Sequence, residues 1–131
     1  MVRCIDGLAE IALAAGDASR CRTYGDELLA IAEPNGLREL EAGARRWRGE
    51  ALLAEKAYVE AQAELSRAAA LAEAIGRVRL QMDAETALAR LFEAQGQSDA
   101  AQRHQAKTRA IAGAIEKNLE SSGLEARIRM S

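Results

Sequence analysis

Glu10 and Glu50 are the carboxylates whose type and spacing first invite a catalytic reading, one giving and one taking a proton. They stand one full period apart, at equivalent points of a sequence that repeats itself, so they read instead as the solvated face of two copies of one helix. His104 is the sole histidine, and no cysteine stands near it in the pattern. Neither a metal set nor a general base is built around it, and it is expected at the surface. Trp47, flanked by Arg45, Arg46 and Arg48, has the composition of a stacking platform in a basic surround. Four neighbouring residues on a helix point different ways, however, and Trp47 stands in register with the small Gly7 and Ala87, a large side chain beside small ones. Cys4 lies more than three helical turns before Gly16, and Cys21 little more than one turn after it. On a hairpin turning at Gly16 they sit about 10 Å out of level, which speaks against a disulfide and for two small core positions in a reducing compartment. There is no glycine-rich phosphate loop and no nucleophile beside a base. The expectation is a chain with no catalytic residue, no cofactor and no metal, and hence not an enzyme.

The elements that carry these residues follow from self-similarity. Leu37 to Gly76 has a copy on either side, shifted by about 40 residues, and a fixed period of this length marks a repeat architecture. Ala14, Ala54 and Ala94 fall in register, as do Ile31, Leu71 and Ile111, then Ala32, Ala72 and Ala112. Gly36 lies over Gly76 and Leu40 over Leu80. In the central copy Leu40, Ala44, Trp47, Ala51 and Ala54 keep the spacing of one helix face. Glu55, Lys56 and Ala57 break it, and Ala61, Leu65, Ala68, Leu71, Ala72 and Ile75 form the stripe of a second helix that Gly76 ends. So short a turn makes the two helices antiparallel. One hairpin leaves its outer faces bare, and stacking buries them.

The first hairpin turns at Gly16 and Asp17, with Asp17 as N-cap, and closes at Pro34, Asn35 and Gly36. The third turns at Gly96, Gln97 and Ser98. Where the earlier copies stop at glycine it has Glu116, and its last helix carries on to Ser121. After Ser121, Ser122 and Gly123, a segment from Leu124 to Met130 is expected to form a separate capping helix. The chain of 131 residues is then one all-α domain, with repeats at about 1–36, 37–76 and 77–120 and a cap at 121–131. Alanine does much of the packing, since aromatic residues make up only 3%.

Eighteen basic against 20 acidic residues lack the concentrated positive face of a nucleic-acid binder. No apolar run reaches the roughly 18 residues of a membrane span. A cytoplasmic protein is expected, touching neither nucleic acid nor membrane.

Gly49, Lys56, Tyr58, Ala61, Leu65 and Ala68, with Leu88, Ala89, Phe92, Gly96 and Ala101 in the same places of the next copy, resemble the pattern of a tetratricopeptide repeat. The longer period is similar to the C-terminal helical repeats of bacterial signal-transduction ATPases, adenylate cyclases and maltose-activator-type transcriptional regulators. Arg45 and Arg48 depart from that pattern by replacing large apolar residues, and Thr108 by replacing a small one. The resemblance implies a right-handed α-solenoid of about three antiparallel hairpins, a non-catalytic protein-interaction scaffold of a bacterial signalling or regulatory system. Its concave groove would be lined by Arg3, Asp6, Glu10 and Leu13, by Arg46, Trp47, Glu50 and Leu53, and by Asp83, Thr86, Arg90 and Glu93. The partner would be a protein or peptide, and the family's lysine and asparagine carboxylate clamp is missing. The alternative is a self-associating module. Val2, Ile5, Leu8, Ile11, Ala12 and Leu13 spread round most of the first helix, so either upstream repeats or a second copy of the chain covers that face. A homodimer through the first hairpin, with Ile5 and Leu8 at its centre, is the expectation for a lone chain.

Overall fold

Five turns of one construction set the architecture. The computed structural model describes the backbone of residues 2–130 and the side chains of residues 7–117. Along the described residues run six α-helices: α1 (Val2–Ala14), α2 (Ala18–Asn35), α3 (Arg38–Ala54), α4 (Tyr58–Ala74), α5 (Val78–Ala94) and α6 (Ser98–Met130). Between each pair one residue takes the left-handed conformation, at Gly16, Gly36, Lys56, Gly76 and Gly96. In each case the next N–H reaches back to a carbonyl of the preceding last turn, as Leu37 N to Ala32 O (3.0 Å) and Ala57 N to Leu52 O (2.9 Å). This closure satisfies carbonyls that the helix end leaves without a partner. Lys56 adopts it at φ 65° with a full side chain, a conformation that costs a non-glycine residue roughly 1–2 kcal/mol. Asp17 caps α2 as expected, its Oδ1 accepting from Arg20 N at 3.1 Å, and α2 runs two residues past Glu33, through Pro34 to Asn35.

The third hairpin departs from expectation at its end. No separate cap follows Ser121, because α6 is one helix from Ser98 to Met130. Serine and glycine inside a helix cost at most about 1 kcal/mol each relative to alanine. With Glu116 where Gly36 and Gly76 stand, nothing at that point closes the helix.

The helices lie in two layers. α1, α3 and α5 touch one another in order, whereas α2, α4 and α6 touch only odd-numbered helices among the described residues. One core joins α1, α2 and α3 around Cys21, Leu28 and Trp47. A second joins α3 to α6 around Leu65, Leu88, Leu91 and Phe92. Close approach is set by two glycines: a Cβ on Gly49 would lie 2.5 Å from Leu65 Cγ, and one on Gly25 would lie 2.6 Å from Arg48 Cγ and 3.2 Å from the Ala44 carbonyl oxygen. Leu71, expected in the middle of the stack, is half-buried like Ile31 and Ile111 in the same register. The buried positions lie one step round the helix, at Ala68 and Ala72, and Ala68 packs on Ala84 of α5.

Candidate interaction groove

α3 carries three arginines within four residues, and its helical pitch sends them to different neighbours. Arg45 and Arg48 point into the gap between α2 and α4. Arg45 Nη2 bonds Glu33 Oε1 at 2.9 Å, its Nη1 bonds Glu64 Oε2 at 3.2 Å, and its Nε faces Glu41 at 3.6 Å. Arg48 reaches Asp26 of α2 at 2.7 Å and Glu64 of α4 at 3.4 Å. These departures from the apolar pattern therefore tie together two helices that do not touch, through carboxylates on both sides.

Arg46 points the other way, toward α5. Its Nε lies 2.9 Å from Glu50 Oε2, misaligned for a hydrogen bond but close enough for an ion pair. Its Nη1 is 3.6 Å from Asp83, and its guanidinium carbon sits 4.1 Å above the centre of the Trp47 ring. Arg90 Nη2 completes the set by donating to Glu50 Oε1 at 2.7 Å. The solvated-face reading thus fails for Glu50, which is 6% exposed and held between two arginines, while Glu10 is exposed. Burial pushes the Cys21 thiol up to about 11, with Glu50 adding to the rise and Arg46 opposing it. The thiol donates to the Trp47 carbonyl at 3.6 Å, and Cys21 fills the small core position expected of it.

Beside this ion-paired set lies an open groove of about 670 Å³. Its apolar wall is Leu28, Leu37, Leu40, Trp47 and Leu80, and Arg38, Glu39 and Arg46 edge it. Among the described residues expected to line a concave surface, Arg46 and Trp47 line this groove. Leu13 and Leu53 pack against the two cores, and Thr86, Arg90 and Glu93 line a second groove, of about 390 Å³, between α5 and α6. Asp83 edges a third, of about 420 Å³ at the start of α5. The side chains of Arg3, Asp6 and Ile5 lie outside the described residues. Leu28, Leu37, Leu40 and Leu80 were missed as groove residues: Leu40 and Leu80 were legible only as a matching register, because nothing local distinguishes a leucine beside a groove from one beneath a helix.

His104 corrects a further expectation. It is half-buried, paired through Nδ1 with Glu85 Oε2 and stacked on Phe92 with ring centres 5.2 Å apart. The pair Glu85 and His104 stands 40 residues after Arg45 and Glu64 in the sequence, and each pair has the same separation of 19 residues. Acid and base have exchanged helices at one structural position, which a search for metal or catalytic partners in the sequence does not reveal.

Among the described residues no group of three or more His, Cys, Asp or Glu is placed to hold a metal ion, and no helix is long and apolar enough to cross a membrane. No family model, curated protein or solved structure matches the chain.

Proposed function

We propose that the chain is a non-catalytic protein-interaction module, a right-handed solenoid of three tetratricopeptide-like hairpins with a period of about 40 residues, working in the cytoplasm on a protein or peptide partner. The observation that carries this reading is the apolar groove of about 670 Å³ along α3. Arg46, which edges it, is already paired with Glu50 and Asp83, so the surface left to a partner is mainly the exposed Leu37 with the half-buried Leu40 and Leu80 beside it, over a buried floor of Leu28 and Trp47. A groove of that make suits the apolar face of a partner segment, with affinity concentrated in one or two large anchors. The recurrence of the left-handed turn at Gly16, Lys56 and Gly96, and again at Gly36 and Gly76, supports the repeat reading.

The test is selection of binders from a displayed random-peptide library, read by the fluorescence of the single tryptophan, Trp47. Selected peptides are expected to carry apolar residues at helical spacing. They should lose at least tenfold in affinity, about 1.4 kcal/mol, against Leu37→Asp. Val59→Asp, on an exposed part of α4, should leave binding unchanged. Binders indifferent to Leu37→Asp would refute the groove as the site.

A further inference from the structure

We propose that a second copy of this chain stacks head to tail on the first, its α1 seated in the open groove between α5 and α6. That groove, of about 390 Å³, is bounded by Thr86, Arg90 and Glu93 of α5 and by Gln105, Thr108 and Arg109 of α6. One period earlier stand Arg46, Glu50 and Leu53 of α3 and Leu65, Ala68 and Ala69 of α4. That earlier surface is occupied within the chain, by α5. Ala84 packs on Ala68 and Ala69, Leu88 and Leu91 share a core with Leu65, and Arg90 bonds Glu50. The groove at α5 and α6 is the corresponding seat of the next copy, open among the described residues, with Gln105, Thr108 and Arg109 where Leu65, Ala68 and Ala69 stand.

α1 has the face that fits it. Leu88 and Leu91 are 2% and 0% exposed under α5, while their counterparts in α1, Leu8 and Ile11, are 43% and 65% exposed. Charge agrees with the fit. Inside the chain Arg90 of the later helix meets Glu50 of the earlier one, and in the stack the exposed Glu10 of one copy comes to Arg90 of the next. Pairing two α1 faces about a two-fold axis, by contrast, leaves the α5–α6 groove unfilled. A contact between unlike faces does not close on itself, so the product is an open string of copies. The inference rests on the correspondence between repeats and not on what fills the groove along α3, with which it shares no residue.

Sedimentation equilibrium of the whole chain, up to about 1 mM, tests it with two blocked variants. Leu8→Glu with Ile11→Glu closes the α1 face, and Thr86→Arg with Thr108→Arg closes the seat. Each is expected to be monomeric alone with wild-type helicity, and an equimolar mixture should give a one-to-one heterodimer that grows no further, whereas the wild-type mass climbs with concentration. Glu10→Arg, a single change at an exposed residue, sets arginine against Arg90 and should weaken assembly at least tenfold even if a blocked variant folds poorly. Leu37→Asp should leave the mass distribution unchanged. A monomeric wild type, a mixture that stays monomeric, or a Thr86→Arg, Thr108→Arg variant that still dimerises would each overturn the proposal, the last in favour of the two-fold dimer. Assembly indifferent to Glu10→Arg or lost with Leu37→Asp would overturn it too.

Discussion

Leu65→Ala is expected to lower the unfolding free energy by about 2–5 kcal/mol, toward the upper end of that range. Leu65 is fully buried where α4 crosses α3, and its Cγ occupies the place where a side chain on Gly49 would be. Glycine has no atoms with which to fill the vacated space, so the cavity persists, and the cost of such a change rises with the cavity that remains. Leu71→Ala, at a half-buried site on the same helix, should cost distinctly less, below about 2 kcal/mol by the area it removes from water. Urea unfolding of the two variants decides the matter. Equal midpoints would mean that the buried face of α4, packed on α3 and α5, is misassigned.

Arg45→Ala should be the second large loss, about 3 kcal/mol. Arg45 is 7% exposed and its guanidinium engages carboxylates on α2, α3 and α4 at once. Removing it leaves Glu64, mostly shielded from water, with Arg48 alone. Glu33 is half-exposed and regains solvent, which holds the figure at the low end for a broken buried pair. The distinguishing result is a double-mutant cycle: with Glu64→Gln already present, Arg45→Ala should cost less by about 0.5–3 kcal/mol. Strict additivity would show that Arg45 acts through packing of its stem and not through Glu64.

Much of the chain order was legible because it depends on local chemistry. Gly16, Gly36, Gly76 and Gly96 mark left-handed helix ends that few other residues adopt readily, and the break at Lys56 was visible once the copies were aligned. Asp17 announced its own cap. The end of α6 was misread because Ser121 to Gly123 resemble punctuation but carry too small a helix penalty to break a helix unaided. Side-chain partners were harder still. Arg45 and Arg48 looked like departures from an apolar pattern, yet they bridge α2 and α4 through carboxylates on both, partners that lie far away in the sequence. His104 looked solitary because its partner, Glu85, is on another helix and exchanges charge with the Arg45 and Glu64 arrangement one hairpin earlier. Thr86, Arg90 and Glu93 were legible as one surface, but they face α6 and not the groove along α3.

The most direct measurement of the stacked-hairpin arrangement is a set of three distances between spin labels at Ser19, Val59 and Asp99, exposed residues one period apart in the first turns of α2, α4 and α6. In a Cys4→Ser background the buried Cys21, its thiol raised to about 11, should stay unlabelled. If one displacement carries each hairpin onto the next, the separations Ser19 to Val59 and Val59 to Asp99 are equal within the width of the label, and that from Ser19 to Asp99 exceeds both. Unequal neighbouring distances, or a separation of Ser19 from Asp99 shorter than either, would contradict the repeat and with it the seat proposed for a second copy.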